Sequence, residues 1–117
     1  MLQTGPALKV SVHLNQDTGA VGGFLPKAIL RFLDEKGIAG ATAIRAHEGF
    51  GAHGRLHNRE GGAGTAEHLP VLIYFIDETA KIEAILPEFL ALVTDGLVEA
   101  HPTQILKVAN TPEKVLA

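Results

Sequence analysis

Leu69-Pro-Val-Leu-Ile-Tyr-Phe-Ile76 is apolar on both faces of any strand it forms, because Val71, Ile73 and Phe75 alternate with Leu72, Tyr74 and Ile76. Its uninterrupted part, Val71 to Ile76, has six residues, far short of the roughly 20 that span a bilayer. Such a segment must lie inside a sheet that is covered on both sides. Helices can cover one face; something else has to cover the other.

The flanking residues supply the rest of that sheet. Lys9 to Leu14 alternates, with Val10, Val12 and Leu14 on one side and Lys9, Ser11 and His13 on the other. Asn15 to Gly23 is a polar connection. Pro26 suits a first helical turn, Leu25, Ile29, Phe32 and Leu33 form an apolar stripe, and Gly37 fits a left-handed C-cap with Ile38 packing behind it. Ala41 to Glu48 reads as a second strand, with Thr42, Ile44 and Ala46 opposed to Ala43, Arg45 and His47. After the apolar strand, Asp77 is placed to cap a helix striped by Ile82, Ile85, Leu86, Phe89, Leu90 and Val93 and closed by Gly96. Pro87 inside it predicts a kink or a break. Leu97 to Leu106 is the last strand, and Pro102 confines it to an edge or a bulge.

The order βαββαβ is that of a ferredoxin-like α+β sandwich, an antiparallel four-stranded sheet with two helices on one face. The second apolar face of the third strand then predicts an oligomer packed through the open face. The chain has 117 residues, enough for one core. Residues 8–107 read as a single domain, with 1–7 and 108–117 as flexible tails.

Composition removes much familiar chemistry. There is no Cys, which excludes thiol nucleophiles, and the one Ser, Ser11, lies in no GxSxG context, which argues against a serine hydrolase. Ten Lys and Arg against thirteen Asp and Glu give a net charge of −3, which argues against nucleic acid as a partner. No signal peptide is readable and the expected location is cytoplasmic. No pair of carboxylates or histidines marks a catalytic centre, so the chain reads as a non-enzyme without a cofactor.

Gly49 to Gly64 is the segment richest in functional signals. Its sixteen residues hold six of the thirteen glycines, with Arg55 and Arg59 among them, and loops of this length are usually functional. Gly49-Phe-Gly-Ala-His-Gly54 is literally a GxGxxG, but no helical stripe follows it, as a dinucleotide fingerprint requires. It reads either as a turn needing positive φ or as a nest of backbone N–H groups for an anion, aided by Arg55 and Arg59. Arg45 can hold an anion bidentately or pair with Glu48 or Glu99. His47, His53, His57 and His68 fall within 22 residues. They are solvated loop histidines, or His47, His53 and His57 converge on Zn or Cu, although their spacing matches no metal signature.

Gly37-Ile-Ala-Gly-Ala-Thr42, then His47-Glu-Gly-Phe-Gly51, then Leu69-Pro70 opening an apolar strand, resemble the PII signalling proteins. They are more similar still to a family of small bacterial PII-like proteins known only as a domain of unknown function. The resemblance runs from about Leu8 to Lys107. It implies a homotrimer with its sheets facing inward and adenine nucleotides bound in three clefts between subunits. Gly40 and Thr42 match the base end of that cleft, and Gly49, Phe50 and Gly51 match the root of a loop that contacts partners. The expected partner is a membrane transporter or another regulated protein, met through residues 49–64. The chain departs from PII proteins at Ala52-His53, where they carry Arg-Gln near the phosphates. It also lacks a Gly-rich loop before the last strand, where only Asp95-Gly96 stands. Together these features point to Gly40, Thr42, Arg45, Gly49, Phe50, Gly51, Arg55 and Arg59 as residues that bind a small anionic ligand.

Overall fold

The computed structural model describes residues 2–15, 18–20, 23–50, 57–58 and 69–109. In chain order the elements are β1 (Gly5–Asn15), β2 (Gly19–Ala20), β3 (Gly23–Phe24), α1 (Leu25–Glu35), β4 (Ala41–Arg45), β5 (Glu48–Gly49), β6 (His57–Asn58), β7 (Pro70–Glu78), α2 (Thr79–Leu92) and β8 (Leu97–Ile105). The four long strands form one antiparallel sheet in the order β4-β7-β1-β8. This is the ferredoxin-like arrangement that the βαββαβ pattern implies.

Alternation fixes the register at the sheet's centre. Val10, Val12 and Leu14 lie opposite Phe75, Ile73 and Val71, so the apolar sides of β1 and β7 coincide. All six are buried, together with Leu25, Ile29 and Leu33 of α1 and Ile82, Ile85 and Phe89 of α2. Both helices therefore cover the same face. The Phe89 ring meets Phe75 edge-on at 5.2 Å between centroids and Phe32 at 6.0 Å, which joins α2 to the sheet and to α1. Helix α1 ends as its sequence requires. Gly37 has φ +77°, its N–H reaches the Asp34 carbonyl, the Ile38 N–H reaches Leu33, and Ile38 enters the core.

Several local readings differ from the structure. The second strand stops at Arg45 rather than Glu48: the Ala46 N–H still reaches the Pro70 carbonyl at 2.8 Å, one register step beyond Arg45 and Val71, but Pro70 has no N–H to return the bond and the ladder ends there. Chain pairing resumes at β5, whose Glu48 and Gly49 face Asn58 and His57 of β6, so part of the Gly-rich segment is a two-stranded ribbon. The connection after β1 likewise holds the β2–β3 ribbon. Asp77 does not cap α2; Glu78 occupies that position with no side-chain cap, and Asp77 is the buried penultimate residue of β7. Pro87 lies inside α2 without breaking it, on the exposed side where water can meet the Glu83 carbonyl it leaves free. Strand β1 begins at Gly5, upstream of the expected domain edge, and Ala7 is buried.

The helix-free face divides along its middle. On the β4–β7 half, Ile44, Leu72, Tyr74 and Ile76 are half-buried or exposed apolar surface, with Ile44 at 47% exposure. On the β1–β8 half stand Lys9, Ser11, His13, Glu99 and His101, with exposed Leu97 beside His13.

Candidate functional site

The turn after α1 and the central strand β7 enclose a cleft of about 210 Å³, with Leu2, Ala39, Gly40, Thr42, Tyr74 and Ile76 among its walls. Three stretches of chain that are far apart in sequence meet there. Thr42 and Tyr74 are cross-strand partners on the helix-free face, so the cleft opens onto the apolar half of that face. Pockets that enclose a small organic ligand usually measure about 300–1,000 Å³. The cleft of the single chain is smaller than that range.

Asp77 fixes the wall of the cleft. Its carboxylate is 1% exposed and accepts the Ala39 N–H at 2.9 Å and the Glu78 N–H at 2.7 Å. The Lys81 ammonium lies 3.3 Å from the same group and also donates to the Gly37 carbonyl. Burial, the strongest single influence, pushes the Asp77 carboxyl upward. The hydrogen bonds from Ala39, Glu78 and Lys81 together outweigh it and hold the group below the ordinary carboxylate value. The turn that presents Gly40 is thereby tied to β7 and α2 by charge as well as by packing.

Of the residues expected to bind a ligand, Gly40 and Thr42 come together at the cleft. Arg45 does not join them. It pairs with Val71 on the helix side of β4, is exposed, and forms no ion pair with Glu48 or Glu99 among the described residues. Gly49 sits in β5 against Pro70, and Phe50 beyond it is 72% exposed. Gly51, Arg55 and Arg59 lie outside the described residues. So do His53 and His68, while His57 contributes its backbone to β6 and His47 is exposed. Among the described residues no three His, Asp or Glu side chains are grouped to hold a metal, and no helix is long and apolar enough to cross a membrane.

Leu2, Tyr74, Ile76 and Asp77 shape the site, although the sequence marks none of them as a site residue. Tyr74 carried a signal, as the one Tyr of the chain set within an otherwise apolar run. Leu2 carried none and Asp77 read only as a helix cap, because their partners in the fold lie far along the chain.

The model of the family DUF190, described as Uncharacterized ACR, COG1993, matches residues 7–105. Among solved structures, the nitrogen regulatory PII-like protein CPII from Thiomonas intermedia K12, bound to ADP, AMP and bicarbonate, superposes with a TM-score of 0.60. It is 19% identical, and the match covers 92% of this chain and 100% of that one. CPII bound to ADP and bicarbonate gives 0.55 at 22% identity, over 92% and 95% of the two chains. A protein from Thermus thermophilus described as PII-like gives 0.58 at 15% identity, over 89% and 91%. At these identities the likeness establishes a shared fold.

Proposed function

The chain belongs to DUF190, the family described as Uncharacterized ACR, COG1993, and on that premise we propose that it is a non-enzymatic, PII-like signalling protein that binds an adenine nucleotide. Copies of the chain associate through the helix-free face of the sheet as a homotrimer, and the cleft at Gly40 and Thr42 is completed by a neighbouring subunit. Gly40 and Thr42 receive the base. Gly49 and Phe50 begin the segment that runs to residue 64, and that segment, with Gly51, Arg55 and Arg59, carries the bound state to a protein partner.

One observation carries this reading: a cleft too small to enclose a nucleotide alone opens directly onto an unpaired apolar sheet face. Ligand site and assembly surface are then one region, and binding would alter how the subunits present the Gly-rich segment. The nucleotide-bound CPII structures share the fold that such a site needs.

The test combines light scattering with calorimetric titration of ADP and AMP, with and without bicarbonate. The expected result is a mass of about three chains, as cyclic assembly requires, and saturable binding of at least one nucleotide. A monomer that binds neither nucleotide would overturn the proposal.

A further inference from the structure

No wall of the cleft carries a formal charge, so an anionic group on a ligand must find its counter-charge at the margin. Most cations near the two halves of the fold are already committed. Lys81 serves Asp77 and Gly37, Lys36 pairs with Glu88 at 2.9 Å, and Arg45 faces the opposite side of β4.

Lys9 differs from all three. It lies on the helix-free face with Ile76 as its partner on β7 and His101 on β8. Its ammonium stands 4.8 Å from the centroid of the Tyr74 ring. It is thus held against one wall residue and paired in register with another, since Tyr74 and Ile76 both line the cleft. Glu78 and Glu99 are diagonal neighbours on the same face, yet among the described residues Lys9 forms no ion pair with either. A ring face accepts a cation more weakly than a carboxylate or phosphate does. The head group is therefore positioned while its hydrogen-bond donors remain available.

We propose that Lys9 binds the anionic group of a ligand whose uncharged, planar part occupies the cleft. The inference rests on the cleft being a ligand site and adds to it the residue that would distinguish a nucleotide from its nucleoside. It also accounts for a basic residue in a strand whose partners on that face are largely apolar on one side.

The experiment is calorimetric titration of wild type, Lys9→Met and Lys9→Arg with adenosine and with AMP. Met keeps an unbranched apolar stem on Tyr74 and removes the charge. Adenosine binding within about twofold of wild type shows that the variant retains the cleft, while AMP binding should weaken by about tenfold or more, the loss of one charge-assisted hydrogen bond. Arg should restore most of the AMP affinity, and salt at about 0.5 M should weaken AMP in wild type but not in Lys9→Met. If Lys9→Met weakens adenosine and AMP in equal proportion, or changes neither, Lys9 does not bind the anion and the inference fails while the cleft reading stands. If the wild type binds neither compound, both fail together.

Discussion

Asp77 and Ala39 are 38 residues apart in the chain and 2.9 Å apart in space, joined by a hydrogen bond from the Ala39 N–H to a carboxylate that solvent hardly reaches. That bond sets where the turn after α1 lies relative to β7, and so sets the shape of the cleft between them. A residue with no side-chain acceptor there would leave the Ala39 and Glu78 amides unpaired and take from the Lys81 ammonium its counter-charge.

Replacing Asp77 by Ala should therefore lower stability by about 1.5–3 kcal/mol, the contribution of hydrogen bonds to a charged group. Urea denaturation would show the midpoint falling while the slope stays constant. An unchanged midpoint would mean that the carboxylate is not holding the turn.

The same group predicts an acid-limb effect. Because its folded-state pKa is depressed, its contribution is fully present above the unfolded-state value of about 3.9 and fades as pH falls through the folded-state value. Thermal melts of wild type should lose stability more steeply than those of Asp77→Asn as pH drops below about 4. Parallel curves would remove Asp77 from the account of acid stability.

Two glycines should behave in opposite ways. Gly96 has φ +117°, and a Cβ there would collide with the His13 carbonyl, so Gly96→Ala should cost more than about 1 kcal/mol. Gly40 has no atom near the position a Cβ would take. Gly40→Leu should keep stability within about 0.5 kcal/mol and lower nucleotide affinity by about tenfold or more. Melting curves and titrations of the two variants separate a backbone requirement from a ligand requirement.

Ile44 tests the assembly surface. It is 47% exposed on an edge strand, so Ile44→Asp should leave the fold intact and place a charge in the proposed subunit contact. Light scattering should show a smaller assembly at unchanged circular dichroism. A mass equal to that of wild type would place the interface elsewhere.

What could be read in the sequence was what depends on near neighbours. The period-two pattern of Val10, Val12 and Leu14, the stripe of Leu25, Ile29 and Leu33, and the Gly37 cap are each complete within one helix or one strand. Those features, and with them the order of the main elements, were legible. The cleft was only half legible. Gly40 and Thr42 belong to a short motif, but the Asp77–Ala39 bond, the Lys9–Tyr74 contact and the arrival of Leu2 depend on chain crossings that no local pattern encodes. The second strand was overextended for a related reason: its alternation continues through Ala46 and His47, while its partner strand begins at Pro70, which accepts the Ala46 N–H but has none of its own to carry the ladder further.

Strand β1 lies between β7 and β8, so both of its hydrogen-bonding edges are filled from the second half of the sequence. During synthesis it leaves the ribosome early and stays unpaired until residues 70–78 and 97–105 have followed. The sheet can close only then, which gives a high contact order and slow, all-or-none formation of the core. No leading fragment that stops short of β7 can bury Val10 and Val12 within a sheet, and such nascent chains would expose an apolar strand with two open edges, the kind of species that aggregates or requires a chaperone.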